Sequence, residues 1–91
     1  MLLDARPLPR AGLVLRREHD DWAVLFDPDT GSGFGLDPVG IFLWENMDGR
    51  RTVADLVGAL REHFAEVPSQ VADEVQGFLQ GLQERGLILL P

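Results

Sequence analysis

Apolar and polar residues alternate with a period of two in three short stretches of the first 36 residues. Residues 12–18 set Leu13 and Leu15 against Val14 and Arg16. Residues 22–27 set Trp22, Val24 and Phe26 against Ala23 and Leu25, and residues 32–36 set Phe34 and Leu36 against Gly33 and Gly35. Such alternation predicts half-buried strands. His19-Asp20-Asp21 supplies a tight turn between the first two. Pro28-Asp29-Thr30-Gly31 supplies a longer loop, with Pro suited to a type I turn and Gly to a left-handed position. Three strands joined in this way form an antiparallel meander, preceded by an extended arm over residues 1–11 in which Pro7 and Pro9 fix the backbone.

After residue 36 the apolar period becomes 3.6. Asp37-Pro38 reads as an N-cap followed by the residue best tolerated at the first helical position. A helix to about Met47 carries Val39, Ile41, Phe42, Leu43, Trp44 and Met47 round more than one face, which predicts a central helix. Thr52 with Asp55 three positions on resembles a capping box, and Val53, Leu56, Val57, Leu60 and Phe64 trace one stripe over residues 53–65. Pro68-Ser69 opens a third helix with the stripe Val71, Val75, Phe78, Leu79 and Leu82, and Gly86 is placed to end it. Leu87 to Leu90 form an apolar tail expected to dock on the core. The prediction is a single α+β domain over residues 12–91, winged-helix-like, with an N-terminal three-stranded antiparallel sheet followed by three helices.

Charge narrows the partners. The chain of 91 residues has eight Arg, no Lys and 15 acids, for a net charge of −7, and residues 19–48 hold seven acids and no Arg. A phosphate backbone would be repelled, because nucleic-acid binding runs on basic side chains displacing counterions. A winged-helix regulator of DNA is the natural rival, yet its recognition helix would carry Asp73, Glu74 and Glu84 against Arg85 alone. No apolar run approaches the roughly 20 residues that span a bilayer, and the start lacks a basic head with an apolar core, so a cytoplasmic, non-membrane protein is expected. With no Cys, only His19 and His63, and Ser32 and Ser69 where a turn or cap wants them, no metal site, cofactor site or catalytic residue can be assigned. The expectation is that the chain is not an enzyme.

Two features are not explained by core packing. The third predicted strand carries Gly31, Gly33 and Gly35 and lies at the sheet's edge with neither charge nor Pro inside it. Its glycines either admit another backbone or permit a bulge. The third helix carries Gly77 and Gly81 four residues apart on one face, each costing about 1 kcal/mol of helix propensity. Either a neighbouring helix or a foreign chain then approaches there. A bare edge beside a glycine-floored helix face would suit an extended peptide that adds a strand and sinks alternate side chains into apolar pockets. Self-pairing of the same edge would instead give a homodimer.

The run Gly35-Leu36-Asp37-Pro38-Val39-Gly40, Leu43-Trp44 and Met47-Asp48-Gly49-Arg50-Arg51-Thr52-Val53 resembles the PqqD-like family of recognition elements for precursors of ribosomally made, modified peptides (RiPPs). Glu74-Val75-Gln76-Gly77-Phe78-Leu79-Gln80-Gly81-Leu82 with Gly86-Leu87-Ile88 continues the resemblance, over about residues 12–88 in all. It implies a non-catalytic protein that binds the precursor's leader as an added strand and presents it to a leader peptidase or a radical-SAM or other modifying enzyme. On this resemblance the leader contacts fall on Gly33, Phe34, Gly35 and Leu36 of the strand and on Glu74, Val75, Phe78 and Leu82 of the helix, with Val24 and Phe26 on the pocket floor. Phe26-Asp27-Pro28-Asp29-Thr30-Gly31 departs from the hairpin of the pyrroloquinoline-quinone branch. A short chain of this kind is more similar to the B1 proteins of lasso-peptide clusters, with recognition proteins of radical-SAM enzymes as the alternative.

Overall fold

A computed structural model describes residues 3–19 and 21–90. The chain forms β1 (Leu8–Pro9), β2 (Val14–His19), β3 (Trp22–Asp27), β4 (Ser32–Leu36), α1 (Pro38–Asn46), α2 (Val53–His63), α3 (Val71–Glu84) and β5 (Ile88–Leu89). It is an α+β fold in which β2, β3 and β4 make one antiparallel sheet and the three helices follow. The predicted turn at residues 19–21 includes Asp20, which lies outside the described residues, as do Met1 and Leu2 of the predicted arm and Pro91.

Local signals set most element ends. Asp37 Oδ1 accepts from Gly40 N at 2.8 Å with Pro38 at the first helical position, which starts α1. Thr52 and Asp55 bond reciprocally at 3.0 Å, completing the capping box of α2. Gly86, at φ 73°, donates to Gln83 O while Leu87 donates to Leu82 O, the paired bonds of a Schellman ending for α3. In the hairpin between β3 and β4, Gly31 at φ 76° donates to Asp27 O at 2.8 Å.

One expectation is corrected. Ser69 does not cap α3: its hydroxyl faces the Gln70 side chain, residues 68–70 form a turn, and α3 begins at Val71 without a side-chain cap. The N-terminal arm packs on the rest of the chain. β1 pairs antiparallel with β5, Pro7 is fully buried, and Ala5 O and Leu3 O accept from Val53 N and Ala54 N, each at 2.9 Å. The arm thereby satisfies two amides at the start of α2 that have no intrahelical acceptor.

The core lies between the inner face of the sheet (Ala23, Leu25, Leu36) and the buried stripes of α1, α2 and α3, with Leu56, Leu60, Leu79 and Leu82 at its centre. α1 touches β3, β4 and α2, as its wide apolar surface predicts.

Candidate functional site

β4 is the outer strand of its sheet, paired with β3 on one side. The arm does not occupy its other side, because β1 and β5 pair with each other in a separate ribbon. In an antiparallel pair, alternate residues of an outer strand direct their N–H and C=O groups away from the partner, so β4 offers main-chain donors and acceptors along its free edge.

Across that edge stands α3. The Phe34 and Phe78 rings lie 6.4 Å apart, tilted by 50°, and the Arg85 guanidinium sits 4.9 Å from the Phe34 ring centroid. At 100° per residue, Glu74, Phe78, Gly81 and Arg85 share one flank of α3, with Gly77 beside them. A Cβ added at Gly77 or Gly81 would meet nothing within 4 Å. The neighbouring-helix explanation of these glycines therefore fails among the described residues, and the flank is open at both positions.

Three cavities follow the groove. One of about 290 Å³ lies where β4 begins, bordered by Ser32, Gly33, Phe34, Arg85 and the Arg10–Asp27 ion pair. A second, of about 240 Å³, is bordered by Trp22, Phe34, Gly35, Asp37 and Phe78. The third, of about 260 Å³, lies where β4 passes into α1. Its apolar lining includes Val39, Leu60, Phe64, Val67, Val71, Val75 and Phe78, and its polar lining Asp37, Glu66 and Glu74.

The residues expected at the site divide three ways. Gly33, Phe34, Gly35, Glu74 and Phe78 border the groove with exposed or half-buried surface, and Val75 is a buried wall of the third cavity. Leu36 is 1% exposed and Leu82 wholly buried, so neither side chain can meet a ligand; Leu36 retains only its place on the edge. Val24 and Phe26 are corrected outright. Register sets Val24 opposite Gly35 and Phe26 opposite Gly33, on the face of the sheet away from Phe34 and Leu36. Neither lines any of the three cavities, so they form no floor beneath Phe34 and Phe78.

Trp22, Asp37, Glu66 and Arg85 border the groove as well, beyond the residues expected there. Trp22 lies across Gly35, whose missing side chain makes room for the indole: a Cβ there would come within 2.5 Å of it. An aromatic diagonal to a strand glycine is a recognisable pattern, and the hairpin register predicts the pair. Trp22 forms the outer wall of the middle cavity and Phe34 and Phe78 the inner one. A strand laid on the β4 edge would therefore alternate its side chains between the two walls.

Asp27, 6% exposed, is held by Arg10 at 2.5 Å and accepts from Asp29 N. The Arg10 hydrogen bond holds its carboxyl below the usual carboxylate range.

Residues 23–88 match the family described as Coenzyme PQQ synthesis protein D (PqqD). A solved structure, TbiB1 in complex with the TbiA(beta) leader peptide, is similar with a TM-score of 0.72 and 26% sequence identity, covering 89% of this chain and 93% of that one. No curated protein matches the sequence.

Proposed function

Because the chain belongs to the PqqD family, we propose that it is a non-catalytic, leader-binding protein of RiPP biosynthesis. It captures the leader of a ribosomal precursor peptide as an added strand on β4, against α3, and presents the remainder of the precursor to a leader peptidase or modifying enzyme. The carrying observation is the free β4 edge with Phe78 of α3 standing across from it. An added strand gains main-chain hydrogen bonds irrespective of its sequence, and the apolar cavities then choose among side chains. The likeness to a protein solved with a leader peptide supports this use of the groove. Within the class we assign the chain to lasso-peptide clusters, on its resemblance to their B1 proteins and its likeness to TbiB1, acting before a leader peptidase in the cytoplasm.

Calorimetric titration with a panel of synthetic leader peptides, the TbiA(beta) leader among them, tests the reading. At least one leader should bind one-to-one with a negative heat-capacity change from apolar burial. Failure of every leader with the folded chain would contradict it.

A further inference from the structure

We propose that Arg85 selects an acidic side chain of the bound strand, so that the groove reads the order of charges along its occupant. The inference rests on the leader-binding reading and deepens it. Arg10 and Arg17 have carboxylate partners in Asp27 and Glu45, whereas Arg85 forms no ion pair among the described residues. Its guanidinium lies over Phe34, an arrangement that uses its flat face and leaves the N–H donors at its rim free for a carboxylate. Glu84, its neighbour in sequence, lies about 100° round the helix and belongs to another face. The cavity beside Arg85 adds only the Arg10–Asp27 pair, which is neutral in sum.

The other end of the groove has the opposite character, with Asp37, Glu66 and Glu74 around its cavity and no basic side chain. β4 runs from the Arg85 end towards Asp37. The sheet is antiparallel throughout, and a strand that continues it at β4 runs the other way, meeting the carboxylates first and Arg85 last. Paired one-to-one with the five residues of β4, it places the two ends about five residues apart. The occupant is thus an apolar strand with a basic residue before the groove-filling side chains and an acidic one about five positions later. The reverse order sets like charge against like at both ends.

The probe is a phage-displayed library of random decapeptides, selected at low salt against the wild-type chain and against Arg85→Gln and Arg85→Glu. Arg85 is exposed and its backbone alone takes part in ending α3, so both variants should melt close to wild type. Wild type should enrich Asp and Glu over Lys and Arg by about tenfold at one position C-terminal to the apolar residues. Arg85→Gln should keep the apolar pattern and lose that bias, and Arg85→Glu should invert it. An apolar pattern with no acidic bias, or the same bias in all three chains, would overturn the role of Arg85 and leave the leader reading standing. No enriched apolar pattern from the wild type would contradict both.

Discussion

Phe34 and Phe78 do most to shape the groove, and both keep surface that a partner can cover. A wholly buried Phe costs about 3–5 kcal/mol when cut to Ala, so the half-buried Phe78 should cost nearer 1–3 kcal/mol. Phe78→Ala should lower leader affinity by more than tenfold in titration while the chain remains folded by circular dichroism; unchanged affinity would remove the ring from the site. Asp27 governs a different property. Its folded-state carboxyl is held below the unfolded value near 4, so the stability it contributes is present above that pH and lost as pH falls through the folded value. Asp48 and Asp55 are lowered in the same direction, by the amides of Arg51 and Thr52 respectively. Melting temperature should therefore fall below about pH 4, and less steeply in Asp27→Asn. At this scale the period-two and period-3.6 patterns put Phe34 on a strand face and Phe78 on a helix stripe, while their part in the groove, with that of Gly35, came from the family resemblance. Val24 and Phe26 were misplaced, because alternation says that two faces exist and not which of them the helices cover. Leu82 was legible as part of a stripe, but only packing shows that the stripe's centre is sealed.

Among the elements, α3 gives the sharpest test. Gly77 and Gly81 stand in open space, so Ala at either position should stabilise the free chain by about 0.5–1 kcal/mol in denaturant unfolding. Gly81→Ala should at the same time weaken leader binding several-fold, because its methyl projects from the open flank that Gly81 shares with Phe78; a gain in both properties would show that the flank is not used. α2 gives a second test. Thr52→Ala breaks the capping box and should cost about 1 kcal/mol. The element ends that could be read were those set by short-range chemistry: Asp37-Pro38, the Thr52/Asp55 box, Gly86 and the hairpin at Gly31. The β1–β5 ribbon could not be read, since two-residue strands at opposite ends of the chain leave no periodic trace. Both of its halves were nonetheless visible, one as an extended arm and the other as a docking tail.

For the molecule as a whole, acidity and topology act together. A net charge of −7 is matched to a partner other than nucleic acid, so gel-shift assays with duplex DNA at physiological salt should show no complex. The meander order β2–β3–β4 leaves two outer strands, of which β4 carries Phe34 against the Phe78 ring of α3. β2 carries Arg16, Arg17 and Glu18, the charged side chains that commonly discourage pairing at an edge. The central claim, that a foreign chain completes the sheet at β4, is tested most directly by amide mapping in solution. With a leader that binds, shifts and slowed hydrogen exchange should fall on alternate amides within residues 32–36, together with shifts at Glu74, Phe78 and Arg85, while β2 and the β1–β5 ribbon stay unchanged. Protection on the β2 edge, or shifts confined to the Val24 and Phe26 face, would contradict the account.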